Sequence, residues 1–165
     1  MRALVVYQSL WGNTASVAKA VAEGIGGDTC AVTTSEATGE LVEGLDLLVA
    51  GAPLLGFSLP TEQMLAGIPS TTKDSPTPAD VSQPPMGAWL EALPGGTGAC
   101  AAFETRIWWS PGSAAKALAK GLEGHGYRSI AKPAKFVVTG RYGPLKAGEL
   151  DRARAWGEQL AGQLT

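Results

Sequence analysis

Residues 9–14 read Ser-Leu-Trp-Gly-Asn-Thr, which sets two hydroxyls, a carboxamide and a glycine within six positions, with no lysine among them. That set suits an anion held by neutral donors. Gly12 lets the backbone approach a ligand closely, Ser9 and Thr14 offer hydroxyls, and Asn13 can donate an amide N–H. A helix starting here adds its unpaired backbone N–H groups, so a phosphate fits without a cation. The same residue types also cap helices with no ligand present, and on these six positions alone both readings stand. The patterns GxxxxGK[ST] and GxGxxG are absent, which argues against a Walker-type ATP site and against a Rossmann dinucleotide site.

Other reactive side chains are sparse. His125, the one histidine, lies in EGHGY between expected elements and reads as a surface residue rather than a base or metal ligand. Ser9 and Ser58 lack the GxSxG elbow of a nucleophilic serine, and the spacing of Glu104 and Glu149 gives no support to a glycosidase-type pair. Cys30 and Cys100 stand far apart without a CxxC, so they are expected as two buried thiols rather than a disulfide or metal knot. Trp108 and Trp109 are neighbours. In an extended loop they point to opposite sides, so that one covers a flat ring while the other packs down, or both serve a core or an interface. Arg141 and Tyr142 follow the last expected strand, where they contact a ligand or lie in a solvated loop.

The elements that must position these groups follow from the patterning. Residues 2–7 and 45–51 are nearly continuous apolar runs, as strands covered on both faces are. Between them, 13–25 places Val17, Ala18, Val21, Ala22 and Ile25 on one helical face, and Gly26-Gly27 ends it. A weaker strand over 28–33 is expected near an edge. The apolar loop 52–60 leads to a short helix opening at Thr61. The stretch 69–85, with five prolines, is an irregular excursion, either mobile or a wall over something. Helical stretches are expected over 87–93 and 113–122, with strands over 98–103 and 135–139. A closing helix over 148–164 turns Leu150, Ala153, Trp156, Gly157 and Leu160 inward, and Trp89 and Trp156 read as core. About five strands alternating with about five helices is the doubly wound α/β pattern with a parallel sheet, and residues 9–14 fall on its carboxyl edge, where ligands bind.

The 165 residues, 45% of them hydrophobic, suffice for one domain over 1–165 with a sizeable core. Thirteen Lys and Arg against fifteen Asp and Glu give a net charge of −2, with no basic stripe for a nucleic acid. No apolar run is long enough to span a membrane and the start reads straight into a strand, so a cytoplasmic protein is expected.

Four stretches carry a family resemblance. VVYQSLWGNTASVAKAVAEGI, residues 5–25, resembles the phosphate-binding loop of the flavodoxin-like family. The G-x-P at 51–53, AAFETR at 101–106 and GPLKAGE at 143–149 resemble stretches of small bacterial flavodoxin-domain proteins. The resemblance spans essentially the whole chain. It implies a five-stranded parallel sheet of order 2-1-3-4-5 and FMN as cofactor. Ser9, Gly12, Asn13 and Thr14 would surround the phosphate, with Leu10 and Trp11 adding backbone N–H groups. A second loop with Pro53, Leu54, Leu55, Gly56 and Phe57 would lie against one side of the flavin. A third, from Glu104 to Pro111, would bring Thr105, Arg106, Trp108 and Trp109. Arg106 would neutralise the reduced, anionic flavin, or else form a salt bridge to Glu104 or Glu149.

These readings make the chain an FMN-binding electron-transfer protein or a small flavin oxidoreductase. Its partner would be a redox protein or a flat acceptor such as a quinone; the small net charge offers little steering and tilts toward the latter. It would act as a monomer or a homodimer. The alternative is a flavodoxin-fold binding or regulatory module without FMN. Leu54-Leu55 motivates it, standing where the resembling proteins read Thr-His, as does the proline-rich excursion.

Overall fold

The computed structural model describes residues 1–68, 75 and 77–165. Strands and helices alternate: β1 (Ala3–Tyr7), α1 (Asn13–Ile25), β2 (Cys30–Thr33), α2 (Gly39–Val42), β3 (Leu47–Pro53), α3 (Glu62–Ala66), α4 (Met86–Glu91), β4 (Ala99–Ile107), α5 (Ala114–Gly124), β5 (Arg128–Ser129), β6 (Ala134–Val138) and α6 (Glu149–Gly162). All strand pairings are parallel, in the order β2-β1-β3-β4-β5, with β6 also paired to β4. This is the expected 2-1-3-4-5 sheet with its fifth position shared. β5 runs beside Ala99 and Cys100, and β6 beside Phe103 to Ile107. The ladder breaks between them at 130–133, where Pro133 has no N–H to contribute.

The apolar runs form the centre of the sheet because they are covered twice. Val5, Leu47, Val49, Phe103 and Phe136 pack on one face against α1 and α6. Leu4, Val6, Leu48, Ala50 and Cys100 pack on the other against α4 and α5. Two glycines let α1 and α6 approach: a Cβ on Gly24 would stand 2.0 Å from the Arg154 carbonyl oxygen, and one on Gly157 2.3 Å from that of Val21. Trp89 is buried with its indole N–H donating to the Ala37 carbonyl at 3.0 Å, whereas Trp156 is half-buried, edge-on to Phe103 and Phe136.

Three expectations are corrected. Cys30 is exposed, because β2 is the edge strand and Cys30 opens it; only Cys100 is buried. Leu150 is exposed. The inward stripe of α6 runs instead through Glu149, Ala153, Gly157 and Leu160, because the Glu149 carboxylate accepts the Val137 N–H at 2.7 Å and holds Arg152 at 2.8 Å. The fourth strand continues past 103 to Ile107. Glu104 and Arg106, unfavourable singly in a buried strand, point to the same face and pair with each other. The excursion is irregular over 77–85, and the rest of it, 69–74 and 76, lies outside the described residues. Among the described residues no helix is long and apolar enough to cross a membrane.

Candidate functional site

At the carboxyl edge, β1, β3 and β4 end side by side: Tyr7 lies opposite Gly51 and Pro53 opposite Thr105. The loops leaving these ends enclose a cavity of about 90 Å³, reached by Ser9, Thr14, Leu54, Thr105, Arg106 and Arg141. A broader cleft of about 830 Å³ opens at the other end of the sheet, and it collects none of the expected site residues.

The first loop is built largely from hydrogen bonds. Gly12 caps α1 at φ +95°, a conformation only glycine enters without strain, and a Cβ there would meet nothing within 4 Å. Space is therefore open above the cap. Ser9 Oγ accepts the Gly12 N–H at 3.1 Å, while Ser16 Oγ donates to the Gly12 carbonyl at 2.9 Å. No side chain caps α1 and its first turn holds no acidic residue, which leaves the helix's positive end available to an anion. The Thr14 and Thr105 hydroxyls share a buried hydrogen bond of 2.8 Å, tying the first loop to β4. Asn13 Nδ2 donates to the Tyr142 carbonyl at 3.2 Å, and Trp11 meets the Tyr142 ring edge-on at 4.8 Å. Leu10 is buried.

The other two expected loops divide. Pro53, Leu54 and Leu55 line the cavity, with the Leu54 N–H donating to the Thr105 carbonyl at 2.9 Å. Gly56 and Phe57 do not. They form a tight turn closed by Leu55 and Ser58, Gly56 at φ +65°, with Phe57 72% exposed. Thr105 and Arg106 line the cavity, but as residues of β4 rather than of a loop. Trp108 and Trp109 are not in an extended segment. β4 ends at Ile107, the Ser110 N–H turns back to the Ile107 carbonyl at 3.1 Å, and both indoles stand outside, 74% and 65% exposed. Neither packs down, because the turn removes the alternation that would have aimed one of them at the core.

Arg106 is buried, and its Nη1 binds Glu104 at 3.1 Å and the Gly112 carbonyl at 2.9 Å. Glu104, with no exposed surface, also accepts from Ser113 Oγ at 2.6 Å and from the Ala115 N–H at 3.1 Å. Of the two partners expected for Arg106 the structure selects Glu104; Glu149 serves Arg152. Asp80 and Gln83 stand behind the first loop. Hydrogen bonds from Ser82, opposed by partial burial, hold the Asp80 carboxyl below its usual range. Burial first, then Glu36 and Asp80, push the neighbouring Tyr7 phenol up. Sequence reasoning missed Gln83, Ile107, Ser110 and Val138. Ile107 and Val138 follow from the extended β4 and its pairing with β6 and Ser110 from the turn that closes on Ile107, whereas nothing local marks Gln83.

Solved structures share this architecture. An archaeal flavodoxin superposes with a TM-score of 0.67 over 99% of both chains at 17% identity. Oxidised flavodoxin 1 from Bacillus cereus gives 0.67 over 100% of both at 13% identity. The flavodiiron core Flv1 from Synechocystis gives 0.66 at 20% identity, covering 99% of this chain and 36% of that one. The chain matches no protein-family profile and no curated protein sequence. It has the flavodoxin-like fold.

Proposed function

We propose that the carboxyl edge of this sheet binds FMN and that the chain is an electron-transfer flavoprotein or a small flavin oxidoreductase. The observation that carries the reading is the uncapped start of α1. A glycine in the left-handed region, open space above it and no competing acid make an anion site where the fold's ligand edge lies. The donors fit a phosphate: the Ser9 hydroxyl, which accepts the Gly12 N–H and keeps its own proton to donate, and the backbone N–H groups of 10, 11, 13 and 14 are all neutral. Thr14 and Asn13, committed to Thr105 and Tyr142, brace the loop rather than reach freely from it.

A cavity of about 90 Å³ takes a phosphate-sized group but is far below the roughly 300 Å³ or more of a pocket for a whole small ligand. The flavin ring therefore falls to the rim, where Pro53, Leu54 and Leu55 offer an apolar wall and the adjoining turns carry the exposed Phe57, Trp108 and Trp109. When bound, FMN supplies reversible electron transfer, and the protein positions it and tunes it. Arg106 brings positive charge to the cavity, moderated by its pairing with Glu104. Such an open rim suits contact with a redox partner or with a flat acceptor such as a quinone.

Titration of the purified chain with FMN tests the reading. Stoichiometric quenching of flavin fluorescence with a perturbed visible band is expected. Fluorescence that stays that of free flavin into the tens of micromolar, binding weaker than about −6 kcal/mol, overturns it in favour of a binding module without FMN, which the smallness of the enclosed cavity would then explain.

A further inference from the structure

We propose that the segment 80–86 is a strap that seats the first loop, and that Gln83, anchored by Asp80, is its positioning residue. The inference rests on the FMN reading only for what the seated loop holds.

The strap takes over where the sheet stops. At the end of β1 the Gln8 N–H donates to the Gly51 carbonyl of β3 at 3.1 Å, and on the other side the Thr34 N–H donates to the Tyr7 carbonyl at 3.1 Å. Beyond this point neither neighbouring strand supplies a partner. The buried Ser9 N–H is satisfied instead by Gln83 Oε1 at 3.0 Å, and the Leu10 carbonyl by the Asp80 N–H at 2.8 Å. The Ser9–Gln83 contact joins residues 74 positions apart in the chain. Gln83 is itself buried, and its amide is fixed by Nε2 donating to Asp80 Oδ2 at 2.8 Å. Asp80 in turn accepts from the Ser82 N–H at 3.0 Å and from the Ser82 hydroxyl at 2.5 Å. Two further bonds seat the strap: Thr34 Oγ1 donates to the Pro84 carbonyl at 2.8 Å, and the Met86 N–H donates to Gln8 Oε1 at 2.8 Å.

The consequence is directional. The strap uses Ser9 N–H and Leu10 C=O on the outside of the loop, which settles the peptide orientations from which the following N–H groups and the Gly12 cap reach their positions. A buried acceptor lost at Gln83 leaves the Ser9 N–H unpaired and the loop with only one of its two outer ties, the Leu10 carbonyl to the Asp80 N–H. Occupancy of the loop and seating of the strap are therefore coupled, and coupling is reciprocal.

The test compares the full-length chain with Gln83→Met, which keeps volume and removes both polar atoms. In the ligand-free proteins, amide hydrogen exchange at Ser9 and over 10–14 is expected to accelerate about tenfold in the variant, with Val5 and Val49 unchanged. In the presence of ligand, FMN affinity is expected to fall about tenfold while riboflavin, which lacks the phosphate, changes less than about twofold. FMN should also slow exchange over 80–83 in the wild type. Asp80→Ala, which frees Gln83 without removing it, is expected to act in the same direction more weakly, and it carries the test if Gln83→Met does not fold. Unchanged loop exchange in both variants overturns the proposal, as do equal losses of FMN and riboflavin affinity. A wild type that binds neither ligand defeats the FMN reading alone, and the exchange comparison on ligand-free protein then decides the strap by itself.

Discussion

The first loop and the loops that follow β3 and β4 reach the same cavity by opposite means. Residues 9–14 are tied on every side: Ser9 to Gln83, Leu10 to Asp80, Asn13 to Tyr142 and Thr14 to Thr105. The outer parts of the other two loops present Phe57, Trp108 and Trp109 to solvent, and the turn at 55–58 is held mainly by its own backbone and by its carbonyl contact with Ser113. On the proposed FMN reading, a hydrogen-bonded polar cradle beside an apolar, weakly tethered rim would divide binding between the two, the cradle selecting charge and geometry and the rim adapting to a flat surface.

The comparison breaks most severely at Glu104, the inner anchor beneath the third loop. Glu104→Ala would leave the Arg106 guanidinium buried without its counter-charge and strip acceptors from Ser113 and Ala115. A loss of about 3–5 kcal/mol is expected in urea unfolding, and the region after β4 would then lose its carboxylate ties at Ser113 and Ala115. Gly12→Ala is expected to cost about 1–2 kcal/mol, the penalty of a left-handed conformation for a residue with a Cβ. It would also place a methyl in the open space above the helix start. Thermal melts check the first effect. A loss of FMN affinity larger than that of riboflavin checks the second, and equal losses would argue that the cradle holds no phosphate.

What could be read from the residues divides along the same line. The central strands and α1 were legible because burial on two faces writes continuous apolar runs and one amphipathic helix, the edge position of β2 because its run is weaker, whereas the sheet order came from the family resemblance. The residues of the first loop were singled out by the family resemblance, because glycine and small hydroxyl residues between a strand and a helix serve helix capping as well as anion binding. The end of β4 was not, since Glu104 and Arg106 look like loop residues until their mutual pairing is seen. The turn after Ile107 likewise hid that both tryptophans face outward. Gln83 was invisible for a different reason: its role arises from a contact across the chain, and no local pattern encodes it.

A third test concerns the support behind Tyr142, whose carbonyl meets Asn13. Glu149 holds the Val137 N–H and Arg152, and Val137 in turn accepts the Lys146 N–H at 2.9 Å, so the segment 138–146 hangs from this carboxylate. Hydrogen bonding from Arg152, opposed by burial and aided by the Val137 N–H, lowers the Glu149 pKa. A carboxyl lowered on folding stabilises the protein above its unfolded value, about 4.3. That contribution disappears as pH falls through the lower folded value. Glu149→Gln is expected to cost about 0.5–1.5 kcal/mol near neutral pH, with the difference from wild type shrinking below pH ~4. Urea midpoints at two pH values measure it, and a pH-independent difference would mean that the carboxylate's charge plays no part.

The smallest expected effect on stability is the most informative about the rim. Trp108→Ala and Trp109→Ala remove side chains that are mostly in solvent, so each should move stability by less than about 0.5 kcal/mol. If the rim takes the flavin ring, one of them should nevertheless weaken riboflavin as much as FMN, because the ring is common to both ligands and the phosphate is not. Gly12→Ala and Gln83→Met should show the reverse pattern. Fluorescence titration of both ligands against these variants therefore assigns each end of the site separately. Tryptophan variants that leave both affinities unchanged would move the ring contact to Leu54 and Leu55 and leave the exposed indoles as a surface for a partner.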